Sequence, residues 1–202
     1  AEMWAKQAKM AGMNYVVFTT KHHNGFCMFD TKTTDFNIMN TPYGKDITRM
    51  VVDAFRKEGL AIGLYYSPDD FYFLYKQGTL ISRTRSEAMA SGNTGLNDYA
   101  KSQMKELMTQ YGKIDIVFID GMEQYGETEI AKVCWEIDPD VVITRGAIQT
   151  PEQTTPDTPM QSPWEACYTL GEQWQYRPTN EEYKNAKETI TQLIDIRAKG
   201  GN

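Results

Sequence analysis

The sequence predicts an α/β fold wound as a (β/α)8-like TIM barrel, incomplete in this chain. Three observations predict it. Helical and apolar strand patterns alternate four times along 202 residues, and such alternation gives a parallel sheet covered by helices. The strand candidates are short, nearly continuous apolar runs, as expected where both faces are covered. Loops after the strands are long and loops after the helices are short, which suits a barrel whose C-terminal strand ends carry a site. A doubly wound open sheet is the alternative, but no Gly-rich fingerprint follows any strand. Four strands stand out where a closed barrel needs eight. Either others are hidden in the irregular stretches or the barrel is incomplete.

The elements follow in order. An amphipathic helix over Met3 to Met10 leads through Gly12 to a strand over Tyr15 to Thr19, and then a long loop. "KDITRMVVDAFRKEG" spaces Ile47, Met50, Val51, Ala54 and Phe55 at helical intervals and stops at Gly59. "LAIGLYYS" is the next strand. A loop with Pro68, Asp69 and Asp70 then runs through a largely polar region to about Leu96. "NDYAKSQMKELMTQYG" is a helix with Asn97 or Asp98 as its N-cap. "IDIVFID" is a buried strand, "TEIAKVCWEID" a helix and "VVITR" a strand. A loop rich in Pro and Thr runs to about Thr179. The last helix lies in "NEEYKNAKETITQLIDIRAKG", with Asn180 as its cap. The first residues carry no signal-peptide pattern, and both ends look cut. The expectation is one catalytic domain over residues 1–202, a piece of a longer protein.

Composition removes several function classes. The net charge of −6 argues against nucleic acid, because phosphate binding needs a basic face. No apolar run is long enough to cross a bilayer. Cys27, Cys134 and Cys167 are odd in number and widely spaced, so packed free thiols are expected rather than a zinc site or a disulfide framework. Twelve Tyr, eight Phe and four Trp suit a core, and equally a carbohydrate site, where the C–H face of a sugar stacks on aromatic rings.

The candidate chemistry sits at the strand ends. The only two histidines, His22 and His23, are adjacent where the first strand runs out. Successive strand side chains point opposite ways, so both can serve one ligand only if the backbone turns there. Tyr65, Tyr66 and Asp69 follow the second strand, Asp120 ends "VFIDG", and Thr144 and Arg145 end the fourth. A lone strand-end Asp is ordinarily a turn or cap residue. Paired with Glu152 in "TPEQ" or Glu165 in "PWEAC", Asp120 suits glycoside hydrolysis. There one carboxylate attacks the anomeric carbon and another carboxyl protonates the leaving oxygen, the two lying ~5–5.5 Å apart in retaining enzymes. His22, His23 and Asp120 also permit a metal reading. Adjacent histidines seldom chelate one ion, however, and neither H-x-H nor H-E-x-x-H spacing is present.

Six ordered blocks extend the reading: "KHHNGFCMFDTKTTDFN", "DAFRKEGLAIGLYYSP", "QMKELMTQYGKIDIVFIDG", "TPEQ", "PWEACYTL" and "AKGGN". Together they resemble the α-L-fucosidases of glycoside hydrolase family 29 over nearly the whole chain. The resemblance implies a (β/α)-barrel-like catalytic domain and a retaining exo-glycosidase. Such an enzyme removes terminal α-L-fucose from glycans or glycoconjugates through a covalent fucosyl-enzyme. It implies Asp120 as nucleophile, with Glu152 ahead of Glu165 as acid/base. His22, His23, Tyr65 and Arg145 would bind the sugar, and Trp174 in "EQWQY" would lie against the fucose methyl. Neutral imidazoles donate and accept, so the His pair can read an axial and an equatorial hydroxyl. No cofactor and no metal are implied. The partner is a fucosylated oligosaccharide or glycoconjugate, not nucleic acid or membrane. The family works in lysosomes, the periplasm or outside the cell. Two positions depart from many members: Asn24 stands where Asp or Glu is common, and Phe118 stands where Trp supplies an indole N–H. A non-catalytic carbohydrate-binding barrel fragment is the alternative function, and a metal-dependent hydrolase is a third.

Overall fold

The computed structural model describes residues 1–82, 84–121, 125–145, 147–178 and 181–202, with side chains of the helix that begins at Tyr125 taken from residue 129 onward. The chain divides into two compact units, 1–145 and 146–202.

The first unit is an α/β layer. Strands β1 (Tyr15–Lys21), β2 (Ala61–Tyr66), β3 (Ile116–Ile119) and β4 (Val142–Thr144) form one parallel sheet in the order β1-β2-β3-β4. The order never reverses, so the sheet lacks the switch point of a doubly wound fold and follows the winding of a (β/α) barrel. Helix α1 (Glu2–Met10) precedes β1, and α2 (Ile47–Lys57), α3 (Phe71–Gln77), α4 (Thr94–Gln110) and α5 (Tyr125–Ile137) lie between successive strands.

Alternation along the strands separates the two sheet faces. Ile62, Leu64, Tyr66, Val117, Ile119 and Ile143 point to the helices and share one core with Ala5, Val52, Phe55, Met104, Leu107 and Cys134. Each fully buried Leu or Ile contributes roughly 1.5–3 kcal/mol. The opposite face carries rows set by register. Thr19, Tyr65, Phe118 and Thr144 lie side by side in one row, and Val17, Gly63, Ile116 and Val142 in the row below. Gly63 is required there, because a Cβ would stand 2.6 Å from the Val16 carbonyl oxygen. Cys27 and Cys134 are buried free thiols. Burial pushes both up to about 12, so both stay protonated.

Several boundaries differ from the sequence reading. The first strand extends two residues further, to Lys21. The polar stretch after β2 contains α3, hidden by an aromatic-rich sequence of modest helix propensity. It forms because Asp70 accepts from the Phe73 amide at 2.8 Å and Leu74 anchors a small core with Ala88, Ala90 and Leu96. Helix α4 starts at Thr94 and is capped by Asn93, not by Asn97 or Asp98. Gly95 disguised that first turn, and burial of Leu96 secures it. Met50 points out from α2 and is 42% exposed.

The second unit holds α6 (Ala186–Ala198), opened by a capping box in which Asn185 and Glu188 satisfy each other's backbone amides. The expected cap, Asn180, lies outside the described residues. Two extended segments of this unit run side by side through the bridges Gln149↔Trp164 and Glu152↔Cys167, and Trp164 also pairs with Gly201. Among the described residues, no helix is long and apolar enough to cross a membrane.

A buried ion pair ties the end of β1 to the loop after β2. Lys21 Nζ lies 3.1 Å from Asp70 Oδ2, with both side chains fully buried. The ammonium also sits 4.6 Å from the Tyr66 ring centroid and 5.4 Å from that of Tyr99. We expect Lys21→Met to destabilise the fold by about 3–5 kcal/mol, because Asp70 is left as an uncompensated buried charge. Urea unfolding measures this. The double variant Lys21→Met/Asp70→Asn recovers part of the loss, whereas an equally unstable double variant would exclude the ion pair as the cause.

Candidate active site

The site of the first unit is built on the C-terminal ends of all four strands. After β1 the chain doubles back: Lys21 pairs antiparallel with Cys27, and the Gly25 amide donates to the His22 carbonyl at 2.9 Å. Gly25 takes φ 88°, and a Cβ there would stand 2.2 Å from Asp70 Oδ1. This turn places the two adjacent imidazoles together, with ring centroids 4.5 Å apart at 73°. His22 is exposed and stacks on Tyr65 at 5.6 Å. His23 is buried, and its carbonyl accepts from the Phe71 amide at 2.7 Å.

Asp120 is the centre of the cluster. Its amide donates to the Tyr66 carbonyl at 2.9 Å, which fixes the residue at the end of β3. The Tyr65 hydroxyl donates to Oδ2. His23 Nε2 lies 3.4 Å from the same oxygen, and Arg145 Nε lies 3.1 Å from Oδ1. Burial pushes this carboxyl up, but the bonds from His23 and Tyr65 and the Arg145 charge pull it further down, to about 2. Asp120 is therefore a partly buried, fully ionised carboxylate.

Arg145 reaches it from a strained backbone. Its φ is 56°, in the left-handed region that non-glycine residues rarely occupy, and such outliers gather at functional sites. The guanidinium carbon lies 5.7 Å from the Phe118 ring centroid. Phe118 in turn stacks on Tyr65 at 5.3 Å. Beside them, the Thr144 hydroxyl is the one buried side-chain oxygen without a hydrogen bond among the described residues.

The structure thus brings together five of the residues singled out from sequence: His22, His23, Tyr65, Asp120 and Arg145. Three other strand-end residues turn away. Lys21 is buried on Asp70, the Tyr66 hydroxyl donates to Gln103 Oε1 at 2.8 Å on the helical side, and Asp69 accepts from the Ala90 amide at 2.9 Å. Sequence reasoning missed Ser67, whose hydroxyl meets His23 Nδ1. Its signal was only its place, one residue beyond a strand end.

Glu152, Glu165 and Trp174 belong to the second unit. Glu152 is exposed. Glu165 is half-buried beside the buried Trp164, and its amide donates to the Gln149 carbonyl at 3.1 Å. Trp174 is 57% exposed.

Donor atoms of His22, His23 and Asp120 all lie within 4.8 Å of one another, as a metal site would require. The Arg145 charge 3.1 Å from Asp120 opposes a dication there, and Asp120 already accepts from three side chains. The donor set therefore fits a metal poorly.

Comparison with known proteins agrees with this architecture. The chain is 31% identical over 133 residues to alpha-L-fucosidase 1 of Arabidopsis thaliana, covering 64% of this chain and 24% of that protein. Its structure superposes on alpha-L-fucosidase isoenzyme 1 from Paenibacillus thiaminolyticus with a TM-score of 0.83 at 34% identity, over 100% of this chain and 56% of that one. It also superposes, with a TM-score of 0.82 at 26% identity, on a family 29 alpha-L-fucosidase from Bacteroides thetaiotaomicron, over 100% of this chain and 53% of that one. That structure is a trapped covalent intermediate with 2-fluoro-fucosyl fluoride. The chain spans about half the length of these solved relatives. The alpha-L-fucosidase family model matches residues 1–202, and the chain belongs to the alpha-L-fucosidase family.

Proposed function

We propose that this chain carries the catalytic centre of a retaining alpha-L-fucosidase, acting on terminal α-L-fucose of oligosaccharides or glycoconjugates. The observation that carries the reading is the Asp120 carboxylate, held by Tyr65, His23 and Arg145 at the ends of consecutive parallel strands. Among the described residues Oδ2 meets two donors and Oδ1 one, so Oδ1 retains a lone pair for attack on the anomeric carbon. A nucleophile held ionised needs no base to activate it. The covalent intermediate trapped in the Bacteroides relative supports a fucosyl-enzyme step.

His22, at the exposed edge, offers its ring to sugar hydroxyls, whereas the two nitrogens of His23 face Ser67 and Asp120, and Tyr65 and Phe118 form an aromatic wall beneath them. Trp174 supplies an apolar face for the fucose methyl. The acid/base comes from Glu152 or Glu165. The sequence placed Glu152 first. Burial favours Glu165, which is half-buried where Glu152 is exposed, because a group that hands a proton to the leaving oxygen works best when screened from bulk water. It protonates the leaving oxygen as Asp120 attacks, then takes a proton from the water that releases fucose. A second reading is sugar binding without turnover, since the same strand-end cluster can hold a sugar without cleaving it.

Release of phenol from an aryl α-L-fucoside tests the reading. Asp120→Asn should lower the rate at least about a thousandfold with the fold intact. Azide should rescue Asp120→Gly with formation of the β-fucosyl azide, the product of a single inversion. Near parental turnover in Asp120→Asn removes Asp120 as nucleophile, and fucose binding without turnover in the parent establishes the second reading.

Glu165→Ala should slow turnover by about 10²–10⁴-fold. Azide should then give the α-fucosyl azide by attack on the fucosyl-enzyme. If Glu152→Ala behaves this way and Glu165→Ala does not, the assignment passes to Glu152.

The ionisation of Asp120 also predicts acid behaviour. Its value is lowered on folding, from 3.8 to about 2. Its ionisation therefore stabilises the fold above about pH 4, and the contribution is lost as pH falls through about 2. The contribution is about 2 kcal/mol. Asp120→Asn should flatten the stability–pH curve between about pH 4 and pH 2, measured by urea unfolding at each pH. An unchanged slope would show that the carboxylate is not held as described.

A further inference from the structure

Ser67 stands just beyond β2 and is fully buried. Its amide donates to the Lys21 carbonyl at 3.1 Å, so its backbone is tied to the end of β1. Its hydroxyl meets His23 Nδ1 and also lies 3.0 Å from the Asp69 carbonyl oxygen. The other ring nitrogen, Nε2, lies 3.4 Å from Asp120 Oδ2.

A proton inventory follows from these contacts. The hydroxyl has one proton to give and two lone pairs with which to accept. If it donates to Nδ1, the neutral ring carries its proton on Nε2, directed at Asp120. If it donates to the Asp69 carbonyl, it accepts from a protonated Nδ1. In that case a neutral ring would set a bare Nε2 lone pair against an ionised carboxylate, which is repulsive. The acceptable arrangement therefore places a proton on Nε2.

We propose that Ser67 is a positioning residue for His23: its hydroxyl occupies Nδ1 and holds the ring so that Nε2–H faces Asp120. Ser67 touches neither the sugar nor the reacting carbon in this scheme. It acts through His23, which keeps one oxygen of the carboxylate fixed while the other attacks. The inference rests on the reading of Asp120 as nucleophile, but its main test does not use turnover.

The test is a long-range proton–nitrogen correlation spectrum of the untagged chain near neutral pH. The chain has only two histidines, and His22→Gln assigns the two rings. The expected result is a protonated Nε2 on His23 in the parent. In Ser67→Ala the His23 nitrogen shifts should move or broaden as the ring loosens. The same variant should lose roughly ten- to a hundredfold in kcat/KM on the aryl fucoside, the scale expected when a group in the site is displaced by about 1 Å. Ser67→Thr, which keeps the hydroxyl, should regain part of both. A bare Nε2 in the parent overturns the proposal, and that measurement needs no variant to fold. Parental nitrogen shifts and rates in Ser67→Ala overturn it as well. If the parent shows the protonated Nε2 but no fucoside turnover, the fucosidase reading fails while the assignment of Ser67 holds.

Discussion

The buried pair of Lys21 and Asp70 is the constraint on which the rest of the first unit depends. Two charges removed from water cost several kcal/mol each, and only close geometry with further partners offsets that cost. Here every supporting contact is also a structural instruction. Lys21 ends β1 and starts the turn that carries the histidines. Asp70 follows β2 and caps α3 with its other oxygen. Gly25 has no side chain because Asp70 occupies the space a Cβ would need. The ion pair therefore ties the β1 turn to the β2 loop directly beneath His23 and Ser67.

A similar problem is solved above it with a different outcome. Asp120 is also an anion removed from much of its water, but its partners are a hydroxyl, an imidazole and a guanidinium rather than one buried ammonium. Burial alone would favour the neutral acid. Three donors reverse that preference and keep it charged. The positive φ of Arg145 is part of the cost, carried by the sheet below. Lys21 and Asp70 neutralise each other as a support, whereas Asp120 keeps a charge with a lone pair to use.

Much of this was legible in the sequence. The four apolar strands, their order and most of their helices follow from the pattern, because a parallel sheet covered on both faces needs short continuous apolar runs between helical spacings. The strand-end positions of His22, His23, Tyr65, Asp120 and Arg145 followed in turn. Helix α3 did not, because Phe71–Gln77 is short and aromatic, and its helicity comes from Asp70 and the pocket around Leu74. The start of α4 was misread because Gly95 and Thr94 argue locally against a helix that Leu96 secures by burial. Tyr66 and Asp69 were placed in the cleft on position alone, and only packing revealed that one serves the helical core and the other a loop amide.

By itself the sequence determined the class of fold, the parallel order implied by alternation, the family carried by six ordered blocks, and the residue types available at the strand ends. These are local or one-dimensional properties, set by side-chain period and by motifs contiguous in the chain. The tertiary structure alone decided which of those residues meet. Asp120 gained its donors from three other strand ends, between 25 and 97 residues away in the chain. Ser67 gained a role through a ring 44 residues away. Charge state, ring orientation and burial depend on distances of a few ångström between groups distant in sequence, and no spacing along the chain encodes them.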